Sequence, residues 1–238
     1  MTLQLSTKTI VKSLSVLAGL LVVLHIISLV ADHEFGNRIT SVMVEKFSME
    51  NEGNFPTYFS AFILFFAAVL FGIISKGLRL SKKPEWQYWS GLSLIFVFLS
   101  LDEAIQIHEK LDTDLIWSSF ETYDLLAWPW VILYGALAML IMIVYFKFWW
   151  DMPIKYRISF AVAALLYVGS ALGFEMLEAR EYTTNGGETL RYVVLTTIEE
   201  CCEIIAIIYL ISTNFKYITD YLPDLHISFA PANRLNPQ

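Results

Sequence analysis

Long hydrophobic runs alternate with short polar connections along this chain, and six of the runs approach the length that a bilayer requires. A helix needs about 20 mostly apolar residues to cross a hydrocarbon layer roughly 30 Å thick. The six runs cover residues of about 14–31, 56–75, 86–111, 125–150, 158–177 and 190–215. This pattern predicts an all-α polytopic membrane protein, with a six-transmembrane-helix bundle over residues 1–216 and a mobile cytoplasmic tail over residues 217–238.

The connection between the first two runs has a pattern of its own. Apolar residues recur at helical spacing between residues 39 and 47, in a segment that is otherwise polar. This spacing predicts a short amphipathic helix that lies on the membrane surface. Asn54 and Pro56 then predict the start of the second span, because asparagine caps helix N-termini and proline suits the first helical turn.

The charged residues predict how the bundle is oriented. Of the 16 lysines and arginines, 11 lie in the N-terminal segment, in the connections after spans two and four, and in the tail. Because basic residues favour the cytoplasmic side, both termini are predicted to be cytoplasmic. Of the 23 acidic residues, 19 lie towards the opposite side, and an acidic face of this kind attracts cations. The formal net charge of −7 argues against nucleic acid as a partner.

The composition agrees with a membrane protein. Hydrophobic residues make up 56% of the chain and charged residues 16%, whereas soluble domains have about 25% charged residues. The two cysteines, Cys201 and Cys202, are neighbours within the predicted sixth span. Adjacent helical residues point about 100° apart, so these side chains are expected to pack in the bundle, and two cysteines cannot make a disulfide framework.

Three stretches place acidic side chains inside the predicted spans or at their edges. They are SLDEAIQIHEKL (residues 100–111), GFEMLEARE (173–181) and TTIEECCEII (196–205). A charged side chain at the centre of a bilayer costs about 2.5–3.5 kcal/mol on insertion scales. Such residues face one another or a water-filled cavity, and they mark functional sites.

The acids of spans three, five and six are predicted to meet in one half of the bundle, since a rotation of about 100° per residue gives them shared inward faces. So many carboxylates cannot ionise together without a counter-charge, which a divalent cation supplies. The predicted metal ligands are Glu103, His108, Glu175, Glu200 and Glu203, and the predicted general bases are Asp102 and Glu199. Carboxylates with one imidazole suit iron, manganese or zinc, whereas carboxylates alone suit calcium or magnesium. The Glu-x-x-His pair of di-metal carboxylate bundles does not occur.

Five stretches resemble a group of bacterial multi-pass membrane proteins that are known only as hypothetical proteins. The stretches are ENEGNFPTYFSA (residues 50–61), FLSLDEAIQIHE (98–109), WPWVILYG (128–135), GSALGFEML (169–177) and IEECCEIIA (198–206). The resemblance covers most of the chain apart from its termini. It implies a location in the bacterial inner membrane, and it implies no activity.

Three functional hypotheses follow from the residues. The first is an inner-membrane metalloprotein whose carboxylate and histidine cluster opens outward and binds a divalent metal, with membrane lipids and the metal ion as its partners. In one form of this hypothesis the protein is a di-metal enzyme that acts on a lipid-phase or periplasmic substrate. The second is a cation or proton transporter, and the third is a non-catalytic subunit or sensor. The inner halves of spans two and six are apolar, which weakens the transport hypothesis.

Overall fold

The structure is a computed structural model that describes residues 6–112, 124–187 and 189–223. Within these residues the chain forms eight α-helices and one short 3-10 helix, with no strand. The α-helices are α1 (Thr7–Phe35), α2 (Arg38–Phe47), α3 (Phe55–Leu80), α4 (Trp86–Ile105), α5 (Ile107–Asp112), α6 (Trp130–Trp150), α7 (Ile154–Asn185) and α8 (Leu190–Tyr221), and the 3-10 helix is Asp124–Leu126. The predicted all-α architecture is therefore confirmed.

Five of the described helices are long and apolar enough to cross a membrane: α1, α3, α4, α6 and α7. Their outer faces carry large apolar side chains that are exposed, such as Val16 and Leu20 on α1 and Leu140 and Ile143 on α6. Lipid is the solvent that accepts such faces, and the chain is therefore a multi-pass membrane protein. Helix α8 has 32 residues but is not among the five.

The helix starts in the first half of the chain follow local capping chemistry. The side chain of Asn37 accepts hydrogen bonds from the backbone of α2, and Thr40 completes a capping box. Asn54 accepts a hydrogen bond from the backbone N–H of Thr57, and Pro56 lies in the first turn of α3. Both the short helix after the first span and the cap of the second span are confirmed, because these side chains satisfy amides that a helix start leaves free.

Neighbouring long helices run antiparallel, as contacts near their ends show. Ser100 on α4 donates a hydrogen bond to the carbonyl of Ala61 on α3, at 2.8 Å. At the opposite end of the bundle, the Nζ of Lys155 on α7 lies 3.0 Å from the Asp220 carboxylate on α8. We call the level of Ser100 the acidic end, because the intramembrane carboxylates lie near it, and the level of Lys155 the basic end.

The third span is shorter than predicted. The sequence pattern predicts one helix from residue 86 to 111, but α4 ends at Ile105 and Gln106 adopts the left-handed conformation, with φ 58° and ψ 53°. The short helix α5 then begins at Ile107. The helical angles predicted for one continuous helix therefore do not apply after Gln106, and the direction of the His108 side chain differs from the one that a straight helix would give.

The other predicted bounds differ mainly in length. Helices α7 and α8 extend past the predicted spans of 158–177 and 190–215, so α8 includes the first residues of the predicted tail. Residues 224–238 of that tail and residues 113–123 of the connection after α5 lie outside the described residues.

Packing leaves a gap between α4 and α6. Helix α3 packs against α4 and α8, and α7 packs against α8 and α6. Near the basic end, an aromatic core fills the bundle: the ring centroids of Phe71 and Trp89 lie 5.9 Å apart, and those of Trp89 and Tyr217 lie 4.6 Å apart. Helices α4, α6, α7 and α8 enclose a large cavity.

Candidate functional site

The cavity has a volume of about 1800 Å³, and its walls change character along the bundle. Towards the basic end the lining is apolar, with side chains such as Phe160, Ile207 and Leu210. Towards the acidic end the lining carries carboxylates, namely Glu50, Glu52, Asp102, Glu103, Glu175, Glu178, Glu199, Glu200 and Glu203, together with His108. The acids of three long helices and of the segment before α3 therefore meet in one space.

Three of these carboxylates form a compact group. Glu175, Glu178 and Glu199 each offer one oxygen, and these oxygens all lie within 4.8 Å of one another. Glu175 and Glu178 are three residues apart on α7 and so share one face of that helix. Glu199 reaches them from α8, which packs against α7. We call these three residues the glutamate triad.

Neighbouring donors hold the triad in place. The Thr196 hydroxyl donates to Glu178 Oε2 at 2.8 Å, and Thr196 precedes Glu199 by three residues on the same face of α8. The indole Nε1–H of Trp130 on α6 donates to Glu175 Oε1 at 3.2 Å. Side chains from α6 and α8 therefore position carboxylates of α7, which fixes the geometry of the group.

Glu178 has an unsatisfied oxygen. Its side chain is only 2% exposed, and its Oε1 is buried without a hydrogen-bond partner. Two described arginines of this end pair with other acids, Arg180 with Asp124 and Arg191 with Glu181. A buried carboxylate oxygen without a donor is costly, and three adjacent carboxylates repel one another unless a proton or a cation joins them.

A second polar group lies beside the break after α4. The backbone N–H of His108 donates to Asp102 Oδ1 at 2.9 Å, and His108 Nδ1 lies 3.2 Å from Asp102 Oδ2. His108 Nε2 lies 3.5 Å from an oxygen of Glu52. Gln106 adopts the left-handed conformation and turns the chain back. This turn allows His108, six positions after Asp102, to contact both oxygens of the Asp102 carboxylate.

The charge of His108 follows from these partners. Burial alone would lower the pKa of His108, but the hydrogen bond and charge of Asp102, with the charges of Glu52 and Glu103, raise it to about 9. His108 is therefore an imidazolium at neutral pH, and both of its ring nitrogens face carboxylates. A metal ligand must be a neutral imidazole, so this geometry favours His108 as a counter-charge over the ligand role predicted from the sequence.

Glu103, Glu200 and Glu203 were predicted as ligands together with Glu175. They line the same cavity, and their charges act on one another. Glu175 also belongs to the group with Glu178 and Glu199, in which one oxygen of each residue lies within 4.8 Å of the others. Glu199, predicted as a general base, thus belongs to the most compact group of acids among the described residues.

The sequence reasoning did not select Glu178, Glu52 or Thr196. Glu178 lies one helical turn after Glu175, and that spacing indicates a shared helix face. A glutamate at this position is, however, also typical of a solvated helix end. Glu52 lies in the polar segment before α3 and gives no periodic signal. Its position depends on how that segment folds over the bundle.

His25 fixes the segment that carries Glu50 and Glu52. Its Nδ1 accepts a hydrogen bond from the backbone N–H of Met49 at 3.1 Å, so its Nε2 is the donor towards the Thr197 hydroxyl, at 2.9 Å. This buried histidine is a packing residue that ties α1 and α8 to residues 48–54. The segment lies outside the membrane spans, and burial and the charge of Glu178 raise the pKa of Glu50 there.

Comparison with known proteins places the chain in a family. Residues 11–216 match the family model described as Domain of unknown function (DUF8692), and the chain belongs to that family. No curated protein and no solved structure matches the chain.

Proposed function

We propose that this member of the DUF8692 family is a membrane metalloprotein in which the glutamate triad holds a divalent cation at the acidic end of the cavity. The observation that carries the proposal is the approach of three carboxylate oxygens within 4.8 Å, one of their residues having a buried oxygen without a partner. A divalent cation would satisfy that oxygen and remove the repulsion between the carboxylates.

The donor set narrows the choice of metal. All three triad residues offer oxygen, and carboxylate oxygens suit magnesium, calcium and manganese. The sequence-based choice was iron, manganese or zinc, which assumed an imidazole ligand. Manganese satisfies both arguments, and Glu200, Glu203 and Glu103 provide further carboxylates in the same cavity for a second ion of a di-metal centre.

The proposed topology has six spans, with α8 as the sixth and both termini in the cytoplasm. Helix α8 packs against α3, α7 and α1, and its glutamates face the cavity, where no lipid contact is needed. The basic end carries the lysine-rich connection after α3 and the connection between α6 and α7, which supports a cytoplasmic location for that end. The resemblance to bacterial proteins supports the bacterial inner membrane, with the triad near the periplasmic side.

An enzyme or a binding protein suits the cavity better than a transporter does. Between Glu203 and the basic end, the lining consists of side chains such as Ile207, Leu210 and Met152, which offer an ion no ligands. A bound divalent metal would act as a Lewis acid on a substrate oxygen. The sequence predicts Asp102 and Glu199 as general bases, but Glu199 is a ligand in this proposal and both oxygens of Asp102 contact His108. Glu200, which lines the same cavity, would be a nearby base. A non-catalytic subunit is the alternative if no substrate is turned over.

Elemental analysis of protein purified in mild detergent tests the proposal. The wild type should retain about one or more equivalents of a divalent metal, and Glu178→Gln and Glu199→Gln should lose it, since each removes a ligand charge with little change in size. Glu34→Gln, which alters an exposed carboxylate at the same end of the bundle, is the matched control. Full metal content in both triad variants, with monodisperse protein, would overturn the proposal.

A further inference from the structure

The apolar part of the cavity opens sideways between α4 and α6. Near the basic end these helices are joined, because the Tyr145 hydroxyl donates to the carbonyl of Tyr88 at 3.1 Å and the rings of Tyr88 and Phe148 stack at 4.6 Å. Near the acidic end, the ring centroids of Phe98 on α4 and Tyr134 on α6 lie 6.4 Å apart, and those of His108 on α5 and Trp130 on α6 lie 4.9 Å apart. The seam between α4 and α6 is thus bounded by contacts at both ends.

Between those contacts, the side chains that line the cavity are also open to the surroundings. Leu94 on α4 is 69% exposed, and Leu137 and Met142 on α6 are 41% and 55% exposed. Helices α4 and α6 are membrane-spanning segments, so this apolar seam faces the hydrocarbon layer. A hydrocarbon chain can pass through such a seam without leaving an apolar environment. Water and ions cannot do so without a large cost in desolvation free energy.

The charges at the acidic end select the polar part of the ligand. Among the described residues that line the cavity there are many carboxylates, one histidine and no lysine or arginine. With a divalent ion on the glutamate triad, the other carboxylates of the lining still face this space, so an anionic head group would meet like charge, which is disfavoured. A neutral hydroxyl or a cationic amine would instead find acceptors.

We propose that the cavity takes a long-chain amphiphile with a neutral or cationic polar end, which enters from the bilayer between α4 and α6. Its hydrocarbon chain lies along the apolar lining near Leu94 and Leu137, and its polar end reaches the carboxylates around Glu200 and the glutamate triad. The proposal rests on the proposed function for the role of the triad, and it names the substrate class. The volume of about 1800 Å³ exceeds the roughly 300–1,000 Å³ of pockets for drug-sized ligands, which suits a lipid-sized molecule.

Photolabelling of the purified protein in phosphatidylcholine nanodiscs tests this proposal. The probes are a long-chain primary amine with a diazirine near the end of its chain and the fatty acid with the same chain and diazirine. Ala138→Phe on α6 narrows the cavity, because Ala138 lines it. Ala136→Phe is the matched control, since Ala136 is exposed on the same helix and does not line the cavity. Leu94→Trp narrows the same seam from α4.

The amine should label peptides of α4, α6 and α7, at least roughly tenfold more than the fatty acid does, because like charges oppose binding of the acid. Ala138→Phe and Leu94→Trp should each reduce this labelling several-fold, whereas Ala136→Phe should not. If one of the two cavity variants, Ala138→Phe or Leu94→Trp, is not monodisperse, the other one serves for the test. Equal labelling by both probes, or labelling that survives both cavity variants, would overturn the proposal.

Metal analysis of the same samples separates this proposal from the proposed function. If the protein retains metal but shows no selective labelling by the amine, only the amphiphile proposal is refuted. Selective labelling of protein that never binds metal refutes only the metal centre and leaves the amphiphile site standing.

Discussion

The charge of His108 leads to a prediction about pH. In the unfolded chain a histidine has a pKa of about 6.5, whereas Asp102, Glu52 and Glu103 raise the folded pKa of His108 to about 9 against the effect of burial. The difference of about 2.5 corresponds to about 3 kcal/mol, since one pKa unit is about 1.36 kcal/mol. The side chain of His108 is 19% exposed, so solvent screens only part of this contribution.

The sign follows from linkage. Because the folded pKa is higher than the unfolded one, the imidazolium stabilises the fold fully below about pH 6.5, and this contribution is lost as the pH rises through about 9. We expect the free energy of unfolding in mild detergent to fall by up to about 3 kcal/mol between pH 6.5 and pH 9.5. Thermal unfolding followed by circular dichroism over that range measures the change.

Variants isolate the contribution of His108 from that of the other titratable groups. The His108→Gln variant should have a lower free energy of unfolding than the wild type at pH 6.5. Its free energy of unfolding should then fall much less than that of the wild type between pH 6.5 and pH 9.5. His33→Gln is the matched control, because His33 is 86% exposed and its change should leave the decline intact. If wild type and His108→Gln show the same pH dependence, the ion pairs around His108 do not stabilise the fold as argued.

Three further predictions concern single side chains. Gln106→Val should destabilise the protein by about 1–3 kcal/mol, because a β-branched residue is strained at φ 58°, whereas Gln106→Gly should not, as chemical unfolding would show. Asn54→Ala should cost about 1–2 kcal/mol, since the side chain caps α3 and donates to the carbonyls of Ser48 and Asn51, and unchanged stability would contradict this. Thr196→Val should lower metal retention several-fold by releasing Glu178, whereas Thr213→Val on the same helix should leave the metal content unchanged, as elemental analysis would show.

The helices could be predicted because each depends on local sequence. A run of about 20 apolar residues has no stable place outside a bilayer or a core, whatever its neighbours are. The cap at Asn54 is equally local, since the backbone N–H that donates to its side-chain oxygen belongs to Thr57, three residues along the chain. Helix α8 depends less on local sequence, because its three cavity-facing glutamates lower its apolar character, and its packing against α3, α7 and α1 is what supports it as a span.

The pairing within the site could not be predicted from the sequence. Sequence gives the depth and helical angle of each acid, and these correctly bring the acids of α4, α7 and α8 to one cavity. Which acids touch depends on the rotation and tilt of whole helices. The packing of the helices brings Glu178 together with Glu175 and Glu199, and Glu103, Glu200 and Glu203 line the same cavity.

The break after α4 changes the role that Asp102 can have. Neither glycine nor proline marks the break, and two backbone N–H groups stabilise it: that of Gln106 donates to the Asp102 carbonyl and that of His108 donates to Asp102 Oδ1. The other oxygen, Oδ2, faces His108 Nδ1, so both oxygens of the predicted general base are engaged in holding the turn and its imidazolium. A base that must take a proton from a substrate needs a free oxygen in reach of it. Asp102 is therefore better suited to position His108, and the base for any reaction in the cavity is better sought among the glutamates of α8.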